Sequence, residues 1–146
     1  MANVIGATRT NYFAVTDANR LRQLVNGLVA EDDITFSSMI GKDGIERFMF
    51  GCYDSIGYME YDENGEEKFE DCYEGYDYFI KEIQKILPDN DAIILLYAGH
   101  ERLRSVDADA CIVTNKKIAS LCLSDLAVFK AQDLLGNDNY DTRLQY

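Results

Sequence analysis

Ile34-Thr35-Phe36-Ser37-Ser38-Met39-Ile40, then Gly41-Lys42-Asp43-Gly44, then Ile45-Glu46-Arg47-Phe48-Met49-Phe50-Gly51-Cys52-Tyr53 is the stretch that decides the fold. Two runs rich in β-branched and aromatic residues flank a short glycine-bearing connection, which closes an antiparallel hairpin. Upstream, Ile5 to Val15 reads as a strand, and Thr16 or Asp17 is placed to accept hydrogen bonds from the first amides of a helix. Leu21, Leu24, Val25 and Leu28 fall at i, i+3, i+4 and i+7 on one face of that helix, with Arg20 and Arg22 projecting elsewhere.

Downstream, Ile56 to Asp62 and Glu67 to Tyr73 flank Asn64-Gly65, a pair that tolerates positive φ, so a second hairpin is predicted, with an acidic loop as the alternative. Tyr76, Phe79, Ile80, Ile83 and Leu87 form a helical stripe that stops before Pro88. Ala92 to Ala98 is a continuous apolar run and reads as a buried central strand. Leu103–Val106, Cys111–Thr114 and Ile118–Leu123 continue as a meander around turns at Asp107-Ala108-Asp109 and Asn115-Lys116-Lys117. Ser124 is the expected cap of a third helix, with Leu126, Phe129 and Leu134 facing inward and Gly136 ending it.

Strands and helices do not alternate regularly, which argues against a doubly wound parallel sheet. The prediction is an α+β fold, a mostly antiparallel sheet with about three helices packed on it. Residues 1–136 form a single domain and 137–146 a loose polar tail.

The composition sets the class of partner. With 26 acidic and 14 basic residues the 146-residue chain carries a formal charge of -12, yet 47% of it is hydrophobic, so it reads as a folded acidic domain rather than a disordered tail. That charge disfavours direct binding to nucleic acid or to an anionic membrane and speeds encounter with a basic surface. The four cysteines show no C-x-x-C spacing, and no apolar run approaches membrane-spanning length. Reduced thiols, a cytoplasmic location in a bacterial host cell and no membrane segment are the expectations.

The acidity is local. Between Asp54 and Asp77 stand ten acids against one base, Lys68, a net charge of -9 within one sixth of the chain. On a hairpin spanning Tyr58 to Tyr73, seven of those acids and the lysine would occupy about 20 to 27 Å, or about one net charge per 4 Å, approaching a single DNA strand. The candidate partner-binding residues are Glu60, Asp62, Glu63, Glu66, Glu67, Glu70, Asp71, Glu74 and Asp77, interleaved with Tyr58, Tyr61 and Tyr73. Carboxylates suit lysine- and arginine-rich grooves, and tyrosine adds rigid contact area with a hydroxyl. The competing reading is a solvated face with some of the tyrosines packed inward. A calcium loop at Asp62-Glu63-Asn64-Gly65-Glu66 is a weaker reading, because its glycine comes too early for an EF-hand and no bidentate glutamate falls at the twelfth position.

Nothing argues positively for catalysis. His100, the one histidine, sits in Gly99-His100-Glu101-Arg102, read as a turn after the central strand, and no P-loop, G-x-S-x-G, G-x-G-x-x-G or H-E-x-x-H is present. No cofactor and no metal are expected, and a small enzyme built around His100 is the weakest of the functional alternatives.

Thr8-Arg9-Thr10-Asn11-Tyr12-Phe13, Val15-Thr16-Asp17, Gly51 to Ile56, Gln84-Lys85-Ile86-Leu87-Pro88 and His100-Glu101-Arg102-Leu103-Arg104 resemble small acidic proteins of bacterial conjugative elements and phages. Such elements often encode antirestriction and anti-CRISPR proteins, many of them acidic mimics of DNA. The resemblance therefore implies a counter-defence inhibitor that binds the basic groove of a CRISPR effector or, second, a restriction enzyme. The alternative is an immunity or antitoxin protein that blocks a basic nuclease toxin. Homo-oligomerisation is compatible with either.

Overall fold

The computed structural model describes residues 4–101 and 105–141. In chain order the elements are β1 (Val4–Thr10), α1 (Ala18–Asn26), β2 (Leu28–Val29), β3 (Thr35–Ile40), β4 (Glu46–Tyr53), β5 (Gly57–Tyr58), α2 (Cys72–Gln84), β6 (Ile93–Glu101), β7 (Ser105–Val113), β8 (Ile118–Cys122) and α3 (Leu123–Leu135). Six strands form one sheet in the order β3-β4-β1-β6-β7-β8, and β2 pairs with β5 in a separate ribbon. Every neighbouring pair of the large sheet is antiparallel, so the fold is α+β as the hairpin pattern implies.

The hairpin predicted over residues 34–53 forms, with strands at Thr35–Ile40 and Glu46–Tyr53. Ile40 faces Glu46, Gly41 N donates to Ile45 O at 3.0 Å, and Gly44 takes the positive φ of 77° that the reversal needs. Asp17 caps α1 by accepting from Arg20 N at 3.0 Å. The helix ends at Asn26 with Gly27 as its C-cap, a position that must stay small because a Cβ there would fall 2.4 Å from Tyr58 Cε2. Leu28 is buried as expected, but as part of β2 rather than of the helix.

The core lies between one sheet face and α1 with α2. Phe13, Phe50 and Phe79 meet edge to face at centroid distances of 6.1 and 5.7 Å, and Leu21, Leu24, Ile83, Ile93 and Val113 close around them. Of the predicted stripe, Phe79, Ile80, Ile83 and Leu87 are buried there and Tyr76 is partly buried, while the helix itself ends at Gln84, ahead of Leu87 and Pro88.

Several expectations need correction. The first strand ends at Thr10, not Val15, because Asn11 takes over the ladder: its Oδ1 accepts from Ile94 N at 2.8 Å and its Nδ2 donates to Ala92 O at 3.0 Å. Phe13 then makes one isolated bridge with Phe48. The run from Ala92 is central in the sheet but buried on one face only, since Ile93 and Leu95 point inward while Ile94 and Leu96 are exposed. Asp107-Ala108-Asp109 is not a turn and His100 does not follow a strand. The β6–β7 ladder runs unbroken from Ile93–Val113 to Glu101–Ser105 and holds all four residues. The reason is period-two patterning: Val106, Ala108, Ala110 and Ile112 share one face and carry the strand through the aspartates. Arg102, Leu103 and Arg104 lie outside the described residues.

In α3 the N-cap is Cys122, without a side-chain capping bond, and Ser124 lies in the first turn with Oγ 3.0 Å from Cys122 Sγ. Leu126, Phe129 and Leu134, expected inward, are exposed, and Val128 is the buried residue of that helix. Gly136 ends it in the left-handed conformation at φ 61°. Of the tail, Tyr140 O accepts from Gln132 Nε2 at 2.7 Å, and residues 142–146 lie outside the described part. Among the described residues no helix is long and apolar enough to cross a membrane.

Candidate interaction surface

The acidic segment starts from β5, which delivers Tyr58 into the core. Its ring is 1% exposed and packs among Phe69, Tyr78 and Phe79 at centroid distances of 6.2, 5.9 and 5.3 Å, while its hydroxyl donates to Glu60 Oε1. Burial first and the Glu60 carboxylate second push the phenol far above its usual range. Tyr58 is thus a core residue and leaves the candidate set. Glu60 is half-buried, held by Tyr58 on one oxygen and by Lys68 Nζ at 3.3 Å on the other. The segment's one base is therefore already paired.

Beyond Glu60 the chain makes a tight reversal instead of the predicted two-stranded hairpin. Asp62 Oδ1 accepts from Asn64 N at 2.8 Å and Glu66 N at 2.9 Å, Gly65 takes φ 78°, and one bridge joins Tyr61 to Glu67. Glu60 faces Lys68 and only Asp62 faces another acid, Glu66, so the ladder stops because Phe69 turns inward against Tyr58 and Tyr78 and takes the second arm with it. Residues 72 and 73 then belong to α2. Asp71 Oδ1 caps it by accepting from Tyr73 N at 3.0 Å and Glu74 N at 2.8 Å, and Glu74 reaches back to Glu70 N at 2.8 Å. Gly75 lets this helix seat on β5, for a Cβ there would lie 1.8 Å from Tyr58 O.

The acids therefore do not form the linear array of charge expected from a hairpin. They form a compact knob at the N-terminus of α2. Asp62, Asp71 and Glu74 hold its backbone, and Glu63, Glu66, Glu67, Glu70 and Asp77 are exposed on it. Tyr61 and Tyr73, at 60% and 80% exposure, stand among them.

A groove of 510 Å³ that the sequence did not announce lies on the helix-covered side of the sheet, lined among others by Thr8, Ser55, Tyr76, Tyr97, Asp109 and Asp125. The facing glycines Gly6 and Gly99 make room for the Tyr97 ring, whose hydroxyl would lie 3.0 and 2.5 Å from a Cβ at those positions. Burial, then Asp54, Asp107 and Asp109, raise the Tyr97 phenol. Burial likewise raises Cys111, and burial with Asp54 raises Cys52, so neither thiol is activated as a nucleophile. His100 stands on β6 between Ile5 and Val106. Among the described residues no group of three or more His, Cys, Asp or Glu is placed to hold a metal ion. The facing Gly6 and Gly99 were the one sequence signal that could have pointed to this groove, since paired glycines in a strand mark a close approach.

Comparison with protein-family models, with curated proteins and with solved structures finds no match.

Proposed function

We propose that this protein is a non-catalytic binding domain whose acidic knob docks on the basic groove of a nucleic-acid-binding protein, in the manner of a counter-defence inhibitor. The observation that carries the reading is a charge of -9 concentrated between Asp54 and Asp77 and held in fixed geometry by its own turn and helix cap. A carboxylate surface whose backbone is already ordered loses little freedom on docking, and exposed Tyr61 and Tyr73 supply contact area beside the charges. The knob is shorter than a duplex segment, so it suits one cluster of phosphate-binding lysines and arginines rather than a full groove. The resemblance to small proteins of conjugative elements and phages favours a CRISPR effector as the partner, then a restriction enzyme.

The test is competition. A guide-loaded CRISPR effector and a restriction endonuclease, each with labelled target duplex, are titrated with the protein across a salt series. Displacement that weakens steeply with salt, and that falls at least about tenfold when Glu63, Glu66, Glu67 and Glu70 are changed to Gln and Asp77 to Asn, supports the proposal. Asp71 is kept, since it caps α2. Equal potency of both forms, or a flat salt response, overturns the acidic-docking mechanism. Inhibition of a basic nuclease toxin instead would move the assignment to an immunity protein.

A further inference from the structure

We propose that two copies of this chain form a symmetric dimer through the sheet face that α1 and α2 leave uncovered. Cross-strand register puts Tyr53, Ala7, Ala98 and Ala108 in one row across β4, β1, β6 and β7, with Leu96 and Val106 in the flanking rows. Leu96 is 54% and Val106 76% exposed. The alanines floor a depression of 630 Å³ bordered by Ile5, Tyr53, His100 and Val106, with Asp107 of β7 also at its edge. A large side chain at one end of a row of small ones is self-complementary. A two-fold axis through the row lays each Tyr53 over the alanines of the second copy, and the same patch serves both sides.

Area and charge both select a second copy as the occupant. Six strands about 4.8 Å apart, with about seven residues each at about 3.3 Å, give a face of about 29 by 23 Å, or about 670 Å² in projection. Two such faces bury about 1,300 Å², within the range of stable interfaces. Among the described residues, no paired position on this face holds Asp or Glu, in a chain with 26 acids. Its charged positions are Arg9 on β1 and Arg47 on β4, toward the β3 edge and away from the alanine row, and Arg47 is paired with Asp43 at 2.8 Å. The acidic knob belongs to the helical layer on the other face, so in the dimer the two knobs lie on opposite outer sides, farther apart than the screening length of about 8 Å.

Sedimentation equilibrium of the full chain over a concentration series reads the result. The expected mass is twice the 16.6 kDa of one chain. Leu96→Glu and Ala98→Glu, separately, bring a carboxylate to exposed positions and are expected to weaken self-association at least about tenfold while leaving thermal melting of the dilute protein unchanged. Tyr53→Ala removes the large side chain at the end of the row without adding charge and is expected to weaken self-association as well, which covers the case of a charged variant that fails to fold. A monomer at every concentration up to the solubility limit overturns the proposal, and so does a dimer indifferent to all three changes. Loss of the dimer on neutralising Glu63, Glu66, Glu67 and Glu70 would place the interface on the acidic knob and also overturn it.

Discussion

The two faces of the large sheet come from the same strands, one residue apart, and carry opposite chemistry. Ile93 and Leu95 lie in a core sealed by α1 and α2, while Ile94 and Leu96 between them lie on an open apolar face. The covered face also carries Glu46, Glu101, Asp107 and Asp109 where the helices do not reach, and the open face carries no paired acid among the described residues. In a chain of charge -12 this shows that exposure alone did not decide where carboxylates went. The acids gather on the knob and the covered-side margin, and the open face, whose charged positions are Arg9 and Arg47, is set apart from both.

The strongest way to break this comparison is to truncate one large residue on each face. Phe79→Ala, in the core and in ring contact with Phe50 and Tyr58, is expected to cost about 3 to 5 kcal/mol, whereas Leu96→Ala, measured dilute enough to separate copies, should stay within about 0.5 kcal/mol. Denaturant unfolding of both variants checks it, and comparable losses would mean that the open face is covered within one chain. Next in size is Gly75→Ala. Its Cβ would strike the Tyr58 carbonyl, so about 3 kcal/mol is expected, with loss of the α2–β5 contact visible in hydrogen exchange of the knob.

Within the knob the acids divide into structural and free-standing sets, and smaller effects separate them. Asp71→Ala removes the α2 cap and should cost about 1 kcal/mol in thermal or denaturant unfolding. Glu67→Gln should change stability by less than about 0.5 kcal/mol, because relief of like-charge repulsion offsets little else there. The smallest effect belongs to the first hairpin, where the Arg47 guanidinium, then the Ile45 amide, lower the Asp43 carboxyl to about 2. A depressed carboxyl adds stability above its unfolded value near 3.8, and that contribution disappears as pH falls through about 2. Carboxyl NMR titration should find the low midpoint, and Arg47→Ala should return it toward 3.8.

Local chemistry was legible where neighbours in sequence are also neighbours in space. The 34–53 hairpin, the Asp17 cap, the α2 stripe and the Gly136 stop depend on turn geometry, a free amide or helical period, and each is complete within a few residues. Asn64-Gly65 carries an equally good turn signal and makes its turn, but not its strands, because Phe69 had a better place in the core. The candidate site was legible in its charge and not in its shape. Glu63, Glu66, Glu67, Glu70, Tyr61 and Tyr73 are exposed as a binding surface requires, while Tyr58 was read outward and lies inward.

Sequence by itself determined the α+β class, the concentration of charge between Asp54 and Asp77, and the local turns and caps, since composition, period and short-range hydrogen bonding need no distant partner. Tertiary structure alone decided which face of each strand was sealed. It buried Tyr58 by bringing β5 to β2 and α2, carried β7 through Asp107 and Asp109 by pairing it with β6, and left Leu126 and Phe129 of α3 outside. The physical reason is that an amphipathic pattern states that one side is apolar but not what covers it. Two helices cover the middle of one face of a six-stranded sheet, and Ile94, Leu96 and Val106 on the other face are exposed in the single chain.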